Sequence, residues 1–263
     1  MNQQHSKISS ILMGGLGNYL FQVSAAYSYG KKYSKQPIFD HSISSGPHNK
    51  VETYESNILN GVNLRGNIEF PTVWNEPGFH HNEIPDIASN VMLNGYFQSE
   101  KYFLPYSDEI RSLFTSYDVE IPVRVSNVLE NNVTCAVHVR RGDFMKYPDH
   151  HPVQSQEYFI RAMDLMPENC IFLIFSDDIT WCKSNLNRPN SKLIFIEGNK
   201  DYEDISIMRR CNHNIISNST FSWWAAWLNS NKDKIVVAPK KWFGSAYSHM
   251  ITSDLYCPGW KVI

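Results

Sequence analysis

The apolar run Val133-Thr134-Cys135-Ala136-Val137, followed at once by His138-Val139-Arg140-Arg141-Gly142-Asp143-Phe144, constrains this chain more than any other segment. A run without polar alternation reads as a strand buried on both faces, the kind found in parallel sheets covered by helices. Two adjacent arginines at the carboxyl end of such a strand stand where α/β sheets bind ligands. A guanidinium is always charged, and its planar donors fit phosphate oxygens in pairs. Gly142 lets the backbone turn sharply, and Asp143 can orient one guanidinium. A surface loop with a simple Arg–Asp pair is the plainer reading. The buried strand and His138 in front of the loop weigh against it.

The rest of the second half alternates in the same way. Strands are expected at 134–139, 171–175, 193–196, 215–216 and 235–237, and helices at 156–166, 178–185, 202–210 and 220–229. Short connections between alternating elements imply a parallel sheet with helices on both faces. The first half opens with an expected strand at 7–13, the loop Gly14-Gly15-Leu16-Gly17-Asn18, and a helical pattern up to about Tyr33. A second strand is expected at 37–40. Prolines, glycines and asparagines dominate 41–90, where long loops and short strands are expected to shape an acceptor site. A helix is expected from Asp108 to about Ser116. The polar stretch 116–132 suggests a boundary, with one domain over 1–125 and another over 126–263.

The chain has 263 residues and a formal net charge of −2, so nothing points to nucleic acid or an acidic membrane as its main partner. Phosphate affinity must then come from local clusters. No apolar stretch approaches the ~20 residues of a membrane span, which leaves peripheral membrane contact at most. Five cysteines form no CxxC pair, and they read as reduced core residues. With no signal peptide at the start, the expected compartment is the cytosol.

Three further segments complete the candidate site. The glycine loop can bring backbone close to a phosphate or sugar at a helix start, with Gly15 and Gly17 as the close-approach positions and Asn18 as a neutral donor. It falls short of the full dinucleotide fingerprint. Asp40 is the only loose candidate for that fingerprint's acidic residue, so a nicotinamide-dependent oxidoreductase is a distant rival. Asn218-Ser219-Thr220-Phe221 precedes an apolar helix. Ser219 or Thr220 can cap that helix, and its first N–H groups can face an anion. Trp223, Trp224 and Trp227, at helical spacing, read as core. Ser176-Asp177-Asp178 follows another strand. There Asp178 can cap the next helix, and Asp177 can hold Arg141 or a ribose hydroxyl. Asp204 lies in an acidic first helical turn, where a carboxylate suits the dipole or can accept from a guanine ring. No cluster has metal-ligand spacing. The pair His150-His151 reads as exposed, or as part of a flexible loop over the site.

Together these pieces resemble the α-1,2-fucosyltransferases of glycosyltransferase family 11. The resemblance rests on GGLGN-x-LFQ at 14–22, GYFQSEKYF at 95–103, HxRRGD at 138–143 and NSTFSWWAAWL at 218–228. It implies a GT-B-like α/β fold of two Rossmann-like halves with parallel sheets, an N-terminal acceptor side and a C-terminal GDP-sugar-binding half. It also implies GDP-fucose as donor, no metal, and a glycan acceptor ending in galactose. By that likeness His138 and Asp204 contact guanine, and Arg140 holds the β-phosphate. Arg141 with Asp143 shapes the loop. Ser219, Thr220 and Phe221 bind the diphosphate, with Asn18 near the fucose or β-phosphate. Gly15, Gly17, Ser176, Asp177 and Asn218 complete the expected donor contacts, and Arg140 and Asp143 carry the chemistry. The base for the acceptor hydroxyl is left open among Asp143, Glu100 and the His150–His151 loop. Another linkage or acceptor, or a sugar-nucleotide-binding protein without catalysis, are the alternatives.

Overall fold

A computed structural model describes residues 6–40, 50–65 and 69–263. The chain divides into two compact units, Met1–Asp118 with Met250–Leu255, and Val119–His249 with Tyr256–Ile263. The return of 250–255 to the first unit has no counterpart in the sequence pattern.

The first unit carries a four-stranded parallel sheet in the order β2-β1-β4-β3. Its strands are β1 (Lys7–Ser10), β2 (Gln36–Pro37), β3 (Thr72–Asn75) and β4 (Val91–Asn94). Helix α1 (Leu16–Lys32) follows β1 and is buried along most of its length. Helix α2 (Ser107–Thr115) is amphipathic, with Ile110 and Phe114 buried. The second strand is shorter than the expected 37–40: past Pro37 the Ile38 N–H still donates to the Ile8 carbonyl at 2.9 Å, but the Phe39 N–H turns away to the Asn63 carbonyl at 2.9 Å. Phe39 only bridges to Leu64. Part of the expected loop region, residues 41–49 and 66–68, lies outside the described residues. β1 and β4 are neighbours although β2 leaves β1 on its other side, so the switch point of this sheet lies between them.

The second unit carries a six-stranded parallel sheet in the order β10-β9-β8-β5-β6-β7. Its strands are β5 (Thr134–Val139), β6 (Ile171–Ser176), β7 (Leu193–Phe195), β8 (His213–Ile215), β9 (Val236–Ala238) and β10 (Lys261–Val262). Helices α3 (Val123–Asn131), α4 (Gln156–Met163), α5 (Ile179–Asn185), α6 (Asp201–Met208) and α7 (Thr220–Leu228) cover it. Alternation along the strands separates two cores. Cys135, Val137, Val139, Phe172 and Ile174 pack with Tyr158, Phe159, Ala162, Met163 and Cys182 of α4 and α5. Ala136, Leu173 and Phe175 pack with Val125, Ile207, Met208 and Ala225 of α3, α6 and α7. Each such Val, Leu or Phe contributes roughly 1.5–3 kcal/mol by burial. The three tryptophans of α7 are buried, and the rings of Trp223 and Trp227 stack 6.2 Å apart. All five cysteines are buried, and none of them forms a disulfide.

The polar stretch 116–132, expected as a boundary, holds the division between the units at 118/119 rather than at 125/126. It contains α3, whose single buried residue, Val125, gives too narrow an apolar stripe to stand out in the sequence. The chain runs from β5 outward to β6 and β7, then returns to the other side of β5 for β8. The switch point therefore lies between β5 and β8, at the ends that carry Arg140 and Ser219.

Candidate active site

Every candidate residue of the second unit stands at the carboxyl edge of its sheet. His138 and the arginine loop end β5, Ser176 and Asp177 end β6, Asp204 opens the helix after β7, and 217–221 follow β8. His138 faces the side of the sheet covered by α7, and its ring lies 5.0 Å from that of Phe221. The imidazole is buried, and its Nδ1 has no hydrogen-bond partner. Burial, helped by the charge of Arg140, pushes its pKa down to about 3, so it is neutral. A buried neutral donor–acceptor without a partner fits a polar ligand edge.

Ser217 ties the switch point together. Its hydroxyl accepts from the Arg140 N–H at 3.0 Å and donates to the His138 carbonyl at 2.8 Å. This residue precedes the NSTF motif by one position and was missed in the sequence. Arg140 then points its guanidinium between two carboxylates. Nη2 donates to Asp143 Oδ1 at 2.6 Å, and Nη1 lies 3.1 Å from Asp177 Oδ2. Its guanidinium also covers the ring of Phe144, 5.4 Å from the centroid. At most two of its five donors are engaged, which leaves the others for a ligand.

Arg141 is held differently from the expectation. Its partner is Asp178, 3.1 Å from Nε, and its guanidinium lies 4.1 Å from the centroid of Trp181. Asp143 pairs with Arg140, three residues before it, and not with Arg141. Asp177 reaches Arg141 only through the backbone, accepting its N–H at 2.9 Å. Asp178 does cap α5, through the N–H of Trp181. The turn at Gly142 admits no side chain, because a Cβ there would collide with the Asp177 carboxylate. Ser176 is used locally, its hydroxyl accepting the Asp178 N–H at 2.9 Å.

Ser219 stands at the N-cap of α7, but its side chain makes no capping bond. The expected cap is therefore absent, and the first N–H groups of α7, at Thr220 and Phe221, have no side-chain acceptor. A helix start of this kind attracts anions. Asn218 is occupied elsewhere. Its amide donates to Pro152 and Trp242 carbonyls at 3.0 and 2.9 Å and accepts from Gln154 at 3.0 Å. Its role in this site is a tie under the loop, which differs from the ligand contact expected of it.

Asp204 lies in the first turn of α6, which packs on α7. Asn199 donates to its Oδ1 at 3.0 Å. Burial, with Asp201 and Glu203 nearby, raises its pKa to about 7, so the carboxyl titrates near neutrality. The loop 147–151 is no free flap. His150 and His151 N–H groups both donate to the Tyr147 carbonyl, and Gly244 and Ala246 donate to the His150 and Asp149 carbonyls at 2.9 Å. His151 is half-buried, stacked on Phe144 at 4.8 Å.

The glycine loop belongs to the first unit, at the switch point of its own sheet. Gly14 has φ +86, and a Cβ there would overlap the side-chain amide of Asn18. Gly15 is the N-cap of α1 and accepts the N–H groups of Asn18 and Tyr19 at 2.9 and 3.1 Å. Gly17 is buried in the first helical turn. Gln22, fully buried, clasps the loop by accepting from Met13 N–H and donating to the Met13 and Gly95 carbonyls. After β4 the chain turns through Phe97, whose φ of +53 is strained for a bulky residue. Glu76 holds that turn, accepting the Tyr96 and Phe97 N–H groups at 2.8 and 3.1 Å and the Tyr102 hydroxyl at 3.1 Å. Neither Glu76 nor Gln98, which meets Asn18, carried a signal of its own in the sequence.

Parallel sheets with ligand edges at their switch points, together with an arginine loop and an uncapped helix start at one of those edges, define an α/β protein of two Rossmann-like units built to bind an anionic ligand. The family model "Glycosyl transferase family 11" matches residues 67–263, and the chain belongs to that family. The alpha-1,2-colitosyltransferase of Escherichia coli is 35% identical over 167 residues, covering 60% of this chain and 58% of that protein. The O-antigen biosynthesis glycosyltransferase WbnK of Escherichia coli is 29% identical over 93% of this chain and 98% of its own length. Thus the chain spans little more than half of the first relative and nearly all of the second. The crystal structure of the fucosyltransferase NodZ from Bradyrhizobium superposes with a TM-score of 0.53 at 16% identity, over 85% of this chain and 92% of that one. That likeness concerns the fold.

Proposed function

We propose that this chain transfers L-fucose from GDP-fucose to a glycan hydroxyl, O-2 of a terminal galactose, with inversion at the sugar carbon and without a metal. The observation that carries the reading is the Arg140 guanidinium. It is pinned at the switch point by Asp143 and Asp177, with donors left over, beside the neutral orphan imidazole of His138. Breaking the sugar–phosphate bond leaves negative charge on the departing GDP. The nearby carboxylates cancel much of the arginines' net charge, so stabilisation falls to directional donors: Arg140 and the start of α7. His138 and Asp204 flank the place for guanine, Asp204 accepting from the ring's N–H groups when ionised. Five buried thiols suit a reducing compartment, and the cytosol is the proposed location.

The test is GDP release from GDP-fucose with and without lactose as a β-galactoside acceptor, followed by linkage analysis of the product. Acceptor-dependent release and an α-1,2 product are expected, unchanged by EDTA. Loss with EDTA and recovery with manganese would remove the metal-free reading. Arg140→Ala is expected to stay folded and to lose at least ~100-fold in turnover. Near-normal turnover would sink its role. A second donor, GDP-linked colitose, is favoured by the similarity to the colitosyltransferase. Competition between the two GDP-sugars separates the readings.

A further inference from the structure

An inverting transfer needs a group to take the proton from the attacking hydroxyl. Resting on the transferase reading above, we infer that His151 is that general base. The loop after Arg140 folds back so that Phe144 is shared between the two residues. Arg140 lies 5.4 Å from the Phe144 ring centroid, and the His151 ring stacks on Phe144 with centroids 4.8 Å apart and planes 19° from parallel. The imidazole is therefore held beside the leaving-group arginine and cannot swing freely. Phe243 and Tyr247 close its other sides at 5.9 and 6.0 Å, and Tyr247 is in turn packed by His150 at 5.0 Å. The loop that carries His151 is anchored by three bonds from 244–246: the Gly244 and Ala246 N–H groups and the Ser245 hydroxyl, which meets Asp149 at 3.1 Å. Among the described residues, neither ring nitrogen of His151 has a hydrogen-bond partner. A half-buried imidazole fixed by stacking, with its nitrogens uncommitted, is free to accept a proton from a ligand.

The charged and titratable groups facing it come from every element packed against it: Asp143 and Arg140 from the arginine loop, His150 from its own loop and Tyr247 from 243–247. Burial, His150 and Arg140 favour the neutral ring, and Asp143 favours the charged one, with burial the largest influence. The ring is thus a free base at neutral pH. In the step, the acceptor oxygen bonds to C1 of fucose as its proton passes to a nitrogen of His151. The C1–O bond to the β-phosphate breaks with its electron pair on GDP. The imidazolium formed is balanced by the Asp143 carboxylate and returns its proton to water.

The experiment compares wild type with His151→Asn and His151→Gln at saturating GDP-fucose and lactose. The expected result is a kcat at least ~100-fold lower in both variants, with GDP binding within about threefold of wild type and an unchanged thermal melt. In wild type, kcat should fall as pH drops below an apparent pKa under 6.5, and this acid limb should vanish in the variants. Using kcat at donor saturation keeps the titration of Asp204 out of the profile. A kcat within about threefold of wild type overturns the inference, and so does an acid limb that persists, or a parallel loss of GDP binding or fold. If wild type itself shows no acceptor-dependent GDP release, the transferase reading fails first, whatever the variants do.

Discussion

Gln98 donates its side-chain amide to Oδ1 of Asn18 at 3.1 Å, and this decides which end of the Asn18 amide stays available. With its oxygen engaged inward, Asn18 presents its NH₂ at the carboxyl edge of the first sheet, in space that Gly14 keeps open. Gln98 follows the turn at Phe97, which Glu76 holds through the Phe97 N–H. The strained turn at Phe97 costs roughly 1–2 kcal/mol, and the half-buried Glu76 holds it by accepting two backbone N–H groups.

Gln98→Glu tests that orientation without changing shape. The new carboxylate can only accept, so the Asn18 amide should turn its NH₂ inward and its oxygen outward. The expected outcome is a KM for GDP-fucose or acceptor raised at least ~10-fold, the size of one lost hydrogen bond to a charged or polar ligand atom. Steady-state kinetics with a melting curve alongside checks it. Both KM values within about twofold would mean that the outer end of Asn18 serves no substrate.

Ser217→Ala addresses the link between β5 and β8. The hydroxyl is fully buried and satisfies the Arg140 N–H and the His138 carbonyl at once. Removing it leaves two buried polar groups unpaired, a loss of about 1–3 kcal/mol. At this size each kcal/mol lowers the melting temperature by roughly 2–4 °C. Thermal unfolding reads the shift directly, and a melt within about 1 °C of wild type would show that water replaces the hydroxyl.

The second unit was far more legible in the sequence than the first. Its strands are continuous apolar runs because helices cover both faces, and such runs stand out without an alignment. Thr134–Val139 and Ile171–Ser176 lie within a residue of where the pattern puts them. In the first unit, β3 alternates over only four residues, and β4 is masked by the Asn and Gly that follow it. Edge strand β10 is two residues long and exposed, too short to make a pattern. The site divided along similar lines. Residue types fixed the arginines, but which carboxylate meets which arginine depends on loop geometry three or more residues away. Asp143 therefore meets Arg140 rather than Arg141, and Asp178, expected only as a helix cap, holds Arg141 as well. Gln98, Glu76 and Ser217 act through backbone turns, and common polar residues in that role leave no motif.

His138 and Asp204 give stability opposite slopes with pH. His138 has a folded pKa of about 3 against 6.5 unfolded, so its contribution is complete above 6.5 and is lost as pH falls toward 3. Asp204 has a folded pKa of about 7 against 3.8 unfolded, so its contribution is complete below 3.8 and is lost as pH rises toward 7. Each slope is about 1.4 kcal/mol per pH unit. In the shared window the two cancel, and wild type should be nearly flat there as far as these groups act. Asp204→Asn should expose the histidine slope, with stability in urea falling by roughly 3 kcal/mol between pH 6.5 and about pH 4. A variant as flat as wild type would contradict the buried neutral state of His138.

The same carboxyl should make donor binding depend on pH. On the proposed reading, in which Asp204 meets guanine, only its ionised form can accept from both ring N–H groups, yet in the free protein it is half protonated at about pH 7. Binding must then expel a proton, and the apparent affinity falls by the fraction of protein in the ionised form. GDP-fucose is the ligand to use, because its phosphates carry no ionisation near neutrality. Between about pH 8 and pH 6 its affinity should drop roughly 10-fold, with nearly one proton released per molecule bound at the lower pH. Titration calorimetry in two buffers of different ionisation enthalpy counts that proton. Asp204→Asn should bind more weakly at high pH and lose both the slope and the proton. Proton release that survives in the variant would assign the titration to another group and take Asp204 out of the nucleotide site.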